Sequence, residues 1–202
     1  HILCEKPISN HFQEIEECFE LSKIKNKILL CSFNRIFDPF INSVKNKLHT
    51  IGDIHKIITI SRDFPYPPVD YLKISGGIFH DCASHDIHYI CWMLGKYPKE
   101  VAVTGQNINN VPGNIYNLDD VVINLKFDKN ILVTIYLSRI SSNYDQRIEV
   151  YGFKGDIKMS NPYIDPVICN NKQINEFPVS FQNRYAASYK NILNHFYELS
   201  NN

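Results

Sequence analysis

Three of the eight histidines in this 202-residue chain fall close together, His80, His85 and His88 in the segment FHDCASHDIHYICW, with Asp81 and Asp86 among them. On a helix, side chains at i and i+4 stack along the axis, so Asp81 and His85 share a face and His88 lies on its flank. A carboxylate beside an imidazole fixes its tautomer and raises its basicity, which is what general acid–base chemistry near neutral pH requires. Three uses fit these residue types. One is a buried polar network that caps a helix against a sheet. Another is a metal site, because His and Asp are ligand types, although the string is not HExxH. The third is a catalytic Asp81–His85 pair. Ile78, Cys82, Ile87, Ile90, Cys91 and Met93 occupy the rest of the helix, which is therefore expected to be largely buried.

A second group of candidates sits at strand ends. Lys6 follows the apolar run ILC inside Glu5-Lys6-Pro7, and the carboxyl ends of strands are where an open α/β sheet binds its ligands. Asn34-Arg35 and Arg62-Asp63 are placed in the same way after apolar runs. Each of these also reads as an ordinary solvated surface group. Several such ends are polar where the strands themselves are not.

The elements that would position these groups come in two styles. The run ILC, a helix capped by Ser9 and extending to about Asn26, and the wholly apolar KILLCSF (27–33) make a strand, helix and buried strand, half of an α/β unit. A second amphipathic helix is predicted from Asp38 to about Leu48. After it, DIHKIITISRDF alternates as a strand, a Pro-rich loop follows, and Gly76 to Gly95 reads as one glycine-started helix. EVAVTG, DVVINLKF, ILVTIYLS, QRIEVYG and GDIKMS are five short strands, with a tight hairpin turn at FDKN (127–130) and a last helix beginning near Gln182. The fold class expected is α+β: the C-terminal remnant of a Rossmann α/β domain, then a mostly antiparallel open-faced sheet with helices on one side. The domains are placed at 1–34 and 35–202.

Composition narrows the function classes. Lys and Arg total 21, as do Asp and Glu, so the net charge is zero and no field favours a phosphate backbone or an acidic lipid surface. Neither a nucleic-acid nor a membrane partner is expected, and no apolar run approaches the length of a membrane span. The six cysteines (Cys4, Cys18, Cys31, Cys82, Cys91 and Cys169) show no CxxC and mostly lie in apolar runs. They read as buried reduced thiols of a cytoplasmic protein. The opening HILCEKP carries no Met and no signal-peptide layout, and the last segment stops in mid-pattern, so a fragment cut at both ends is expected.

Taken together, these segments resemble the glucose–fructose oxidoreductase / inositol 2-dehydrogenase / MocA (Gfo/Idh/MocA) family of NAD(P)-dependent sugar and polyol dehydrogenases. CEKP resembles its Glu-Lys-Pro motif, SFNRIFDPF its GFNRRFD-type segment, and SRD recurs in the same place. GGIFHDCASHDIH is similar to its GGxxxDxxxH signature, YDQRIEVYGFKGDIKMSN to its YDQRxEVxGxxG segment, and FQNRYAASY to its late helix. The motifs run nearly end to end and lean toward the inositol 2-dehydrogenase branch. The resemblance implies NAD or NADP as cofactor, a cyclic polyol or sugar as substrate, and a homodimer or tetramer formed through the sheet. It places Glu5, Lys6 and Pro7 at the cofactor, Lys6 beside the nicotinamide and substrate hydroxyl, with a cis bond before Pro7. His85 is implied as the base that takes the hydroxyl proton, and Asp81 as the group that orients it or holds a neighbouring hydroxyl. Arg35, Asp63 and Tyr144 match polyol-contacting positions.

Departures accompany the likeness. Ser32 stands for a family glycine, Ile36 for the second arginine of NRR, and His88 for an aspartate three residues after the base. The Gly-rich phosphate loop and the ribose-reading acid are absent from these 202 residues, so this chain alone is expected to be inactive. The alternatives are a metal-dependent hydrolase using His80, Asp81, His85 and His88, or a non-catalytic dimerisation module.

Overall fold

The computed structural model describes residues 1–109, 118–161 and 180–201, and the backbone alone of 168–169 and 172–173. The side chain of Cys169 therefore lies outside the described residues. The chain forms two compact units, one of His1–Pro39 with Tyr185–Asn202 and the other of Phe40–Arg184.

In the first unit, β1 (Ile2–Glu5) and β2 (Leu29–Ser32) pair in parallel around α1 (Phe12–Ile24). Cys4 faces Cys31 and Glu5 faces Ser32 across the pair. Helix α1 starts three residues later than Ser9. Ser9 instead accepts the backbone N–H of His11 at 3.0 Å and bonds the Glu14 side chain, bracing the turn before the helix. None of α1 is buried among the described residues, and Ile2, Phe12, Leu21 and Ile24 are exposed. A 3-10 turn at Asn34–Phe37 follows β2. The last helix binds this turn: the Ser188 hydroxyl donates to the Asn34 carbonyl and the Asn191 amide to that of Phe37 at 3.0 Å.

The second unit begins with α2 (Pro39–Lys47), which buries Ile41 and Val44, and continues into β3 (Ile54–Arg62) and the short α3 (Val69–Ile74). One helix does not run from Gly76 to Gly95 as the pattern suggested. Gly76 and Gly77 both take left-handed backbone (φ 73° and 81°), which stops a helix from including them. A single π turn occupies Phe79–Ala83, and only then does α4 (Ser84–Leu94) run to its left-handed cap at Gly95.

Strands β4 (Glu100–Gln106), β5 (Asp120–Phe127), β6 (Ile131–Ser138), β7 (Asp145–Gly152) and β8 (Gly155–Met159) complete a six-stranded sheet in the order β4-β5-β6-β3-β7-β8. All five expected strands are present, and Asp128–Asn130 makes the turn between β5 and β6, with Lys129 and Asn130 in left-handed conformations. Within this sheet every pairing is antiparallel except that of β3 with β6. A short antiparallel pair, β9 (Ile168–Cys169) and β10 (Lys172–Gln173), follows. The final helical region is two pieces, α5 (Phe181–Arg184) and α6 (Ala186–Asn201), the second belonging to the first unit.

The sheet alternates as a half-buried antiparallel sheet should. Ile57, Ile123, Leu125, Val133, Ile135, Ile148 and Val150 point to one face and are buried with Leu72, Ile78, Ile90 and Met93 from the helices. The other face carries Ile58, Ile60, Leu132 and Tyr136 in half-exposed or exposed positions. Thiol burial is less uniform than expected. Cys82 is buried, but Cys4, Cys31 and Cys91 are intermediate, and Cys18 is exposed because α1 buries no face among the described residues.

The end of β7 approaches the preceding loop so closely that a Cβ on Gly152 would lie 2.2 Å from the Ile51 carbonyl oxygen, the acceptor of the Lys154 N–H. Gly152→Ala should therefore lower stability by about 1–3 kcal/mol through forced backbone displacement. A lower denaturant midpoint at unchanged m would show it, and an unchanged midpoint would mean that the loop yields freely.

Candidate active site

The register of the second unit converts scattered strand-end residues into a row. Parallel pairing sets Arg62, at the end of β3, opposite Ser138, at the end of β6. Antiparallel pairing sets the same positions opposite Asp145 and Asp120, the first residues of β7 and β5. The next residue outward on each strand is Asp63, Arg139, Tyr144 and Asp119. Because side chains alternate along a strand, all four continue the face that carries Ser61, Leu137, Gln146 and Val121, which is the core face.

Above this row lie the π turn and the start of α4. Arg139 is completely buried, and its guanidinium donates to Asp81 Oδ2 at 2.9 Å, with Ser75 Oγ at 3.5 Å. The other carboxylate oxygen of Asp81 accepts the Tyr71 hydroxyl at 2.8 Å. The Cys82 thiol donates to Asp63 Oδ2 at 3.1 Å. Burial foremost, then the carboxylates of Asp63 and Asp81, pushes this thiol far above its ordinary value, so it stays protonated. Burial alone works against the charge of Arg139, but the Asp81 carboxylate beside it helps to hold its pKa above the ordinary value. Tyr71 is raised by burial and then by Asp81, which fixes its hydroxyl as a donor.

His85 follows Asp81 by four residues and is half-buried at the start of α4. Its successor Asp86 is wholly buried and serves the core. Asp86 Oδ1 accepts from the Ser61 hydroxyl at 2.8 Å and from Tyr89 at 3.1 Å, and Gln146 Oε1 lies 2.9 Å from Ser61. Asp86 thus fulfils the buried-network reading, while Asp81 and His85 remain nearer the surface. His80 is exposed. Among the described residues, no group of three or more His, Cys, Asp or Glu side chains gathers as a metal-holding set.

The other expected site residues are placed as follows. Asp63 joins the row through Cys82. Tyr144 is in the row too, 2% exposed, its carbonyl accepting from Asn161 at 2.9 Å. Lys6 belongs to the first unit, half-buried just past β1; its backbone N–H donates to Glu5 Oε2 at 3.3 Å, and the Lys6–Pro7 bond is cis. Arg35 is also there, buried in the 3-10 turn and stacked 5.5 Å from the Tyr185 ring. Arg139 was not foreseen. Its only sequence signal is a charge that directly ends the alternating strand ILVTIYLS, the same signal that singled out Arg62-Asp63. Asp119 was likewise missed: its Oδ2 accepts the N–H groups of Ile108 and Asn109, each at 2.8 Å, and its Oδ1 the Tyr66 hydroxyl at 2.9 Å.

The GFO/IDH/MocA C-terminal domain matches residues 47–158. The chain is 34% identical over 196 residues to the myo-inositol 2-dehydrogenase of Thermotoga maritima, spanning 94% of this chain and 59% of that one. It is 30% identical to the scyllo-inositol 2-dehydrogenase (NAD(+)) of Bacillus subtilis, over 100% of this chain and 60% of that relative. The crystal structure of a myo-inositol dehydrogenase from Corynebacterium glutamicum superposes with a TM-score of 0.81 at 32% identity, covering 97% of this chain and 61% of that one. The chain thus spans about three-fifths of the length of the curated relatives it matches.

His88, on the flank of α4, has its imidazole pulled below the ordinary value of 6.5 by burial. Between the folded value and 6.5 the unfolded chain binds a proton that the folded chain refuses, so stability is lost as pH falls and is unaffected above 6.5. The drop in Tm between pH 7.5 and pH 5.0 should be smaller in His88→Gln than in the parent. Equal drops in the two proteins, followed by circular dichroism, would remove His88 as the cause.

Proposed function

Because the chain belongs to the GFO/IDH/MocA family, we propose that the protein carrying it is an NAD(P)-dependent oxidoreductase of the inositol 2-dehydrogenase type, which oxidises a secondary hydroxyl of a cyclic polyol or sugar. One observation carries the reading: a half-buried imidazole, His85, stands four residues after a carboxylate, Asp81, whose two oxygens are held by Arg139 at 2.9 Å and Tyr71 at 2.8 Å. A carboxylate so fixed is preorganised to orient an imidazole or a substrate hydroxyl.

NAD or NADP, when bound, supplies the hydride acceptor. Only part of its site is represented by these residues. Lys6 and Glu5 at the carboxyl end of a parallel strand pair fit the nicotinamide end of a dinucleotide, whereas no Gly-x-Gly-x-x-Gly occurs in the 202 residues. As hydride leaves the carbinol carbon, His85 takes the proton from its oxygen. The family resemblance assigns Lys6 to the nicotinamide and the substrate hydroxyl, and Asp81 to orienting His85 or holding a neighbouring hydroxyl. Arg35, Asp63 and Tyr144 are assigned to polyol contact, a neutral partner that suits a chain of zero net charge.

In this reading residues 1–34 are the end of a dinucleotide-binding domain and 35–202 the substrate and assembly domain. The exposed Ile2, Leu21 and Ile24 support the first assignment, being apolar groups that a larger Rossmann sheet would cover. The half-exposed apolar face of the six-stranded sheet supports assembly into a homodimer or tetramer. Among the described residues no helix is long and apolar enough to cross a membrane, and we place the protein in the cytoplasm. Among the described residues no metal-holding set gathers His80, Asp81, His85 and His88, and His80 is exposed, so the metal-dependent hydrolase alternative has no specific observation in its favour.

In the complete enzyme, His85→Ala and Lys6→Ala should each lower kcat about 10²-fold or more on inositol with NAD, the contribution typical of a positioned acid or base. Near-parental turnover in both variants would defeat the assignment. Calorimetric titration of the 202-residue chain with NAD should show no low-micromolar binding. A Kd in that range would mean that the phosphate loop is dispensable.

A further inference from the structure

We propose that Arg139 is the positioning residue of the proposed base: its buried guanidinium fixes the Asp81 carboxylate and keeps the neighbouring His85 neutral and ready to accept a proton. This rests on the reading of Asp81 and His85 given above and goes beyond it by naming what controls them.

The argument begins with cost. A fully buried guanidinium is expensive to desolvate, and a buried ion pair often contributes less stability than apolar side chains of the same volume. Arg139 nevertheless sits beneath the π turn, and it bonds the carboxylate of that turn, Asp81. Its own backbone is anchored, because its N–H donates to the Asp119 carbonyl at 2.8 Å. The cation is therefore held from the sheet side, and Asp81 is aligned to it.

The electrostatic effect has a definite sign. Asp81 by itself would favour protonated His85 and spoil it as a base at neutral pH. A cation bonded to Asp81 offsets that pull. The groups around the pair do not cancel the offset. From the helical turn come Asp81 and the protonated Cys82; from the end of β3 comes Asp63, engaged with Cys82; from α3 comes the protonated Tyr71; from just before β5 comes Asp119 and from the loop after β3 Tyr66, bonded to each other. Within α4, Asp86 is turned to Ser61 and Tyr89, and His88 is held neutral by burial.

The test needs no cofactor. The His85 ring is titrated by NMR in the 202-residue chain, its signal assigned by loss in His85→Gln, for the parent, Arg139→Gln and Arg139→Lys. In Arg139→Gln the His85 titration should move up by about half a pH unit or more, the effect of one nearby charge even when water screens it strongly. Arg139→Lys should recover most of that move. If Arg139→Gln does not fold, Asp81→Asn supplies the complementary measurement and should move the titration down. An unmoved His85 titration in a folded Arg139→Gln, or in Asp81→Asn, overturns the proposal. In the complete enzyme, the acid limb of kcat/KM should shift with the NMR value. Full turnover in His85→Gln would instead overturn the base assignment while leaving the measured coupling intact, so the two failures are distinguishable.

Discussion

The parallel contact between β3 and β6 is the constraint from which the candidate site follows. In a sheet with only antiparallel neighbours, the carboxyl end of each strand lies beside the amino end of the next. Here two strands finish together, with their partners β5 and β7 starting at the same edge. That brings Asp63, Arg139, Tyr144 and Asp119 into one row on the buried face. Parallel neighbours require a long crossover, and the segment between β3 and β6 includes the π turn and α4, which lie over the same face. The connection that permits the pairing thus also delivers Asp81 and His85.

The row is unusual for a core because it is charged, and it is tolerated because each charge is answered locally. Arg139 has Asp81, Asp63 has the Cys82 thiol, and Asp119 has two backbone N–H groups and a tyrosine. Breaking one member of such a set leaves a buried charge uncompensated, which costs far more than the pair itself contributes. One layer inward, Asp86 with Ser61, Tyr89 and Gln146 repeats the pattern at full burial. The two carboxylates of the His-rich segment thereby separate in role, Asp86 tying α4 to β3 while Asp81 stays nearer the surface.

Local patterns made the elements legible, and long-range register hid the row. Alternation in ILVTIYLS and DVVINLKF marks strands with one buried face whatever their neighbours, and the structure has them there. The pairing of β3 with β6 joins residues some 76 positions apart, such as Ile57 and Val133, and no local pattern encodes it. Arg139 was overlooked for that reason: a single cation after a strand reads as solvated until the fold buries it. The π turn was hidden differently. Asp81 and His85 satisfy helical spacing, and only the left-handed glycines before them and the inserted residue show that the first turn is wound differently from α4. The resemblance implies a chemistry for Asp81 and His85; the geometry adds what holds Asp81.

The replacement of an aspartate by His88 fits the same electrostatic balance. An aspartate three residues past a base, on the same helical flank, would add a negative charge and make the imidazole more basic. His88 adds none, because burial depresses its own protonation. In the proposed reading Arg139 acts on His85 toward the neutral imidazole that can receive a proton, and His88 adds no charge that would oppose it. A protein that took a proton from an uncharged polyol would gain from this. Such a substrate brings no charge to tune the base, so the tuning must reside in fixed groups of the protein, and the buried cation under the helical turn is the group in place to supply it.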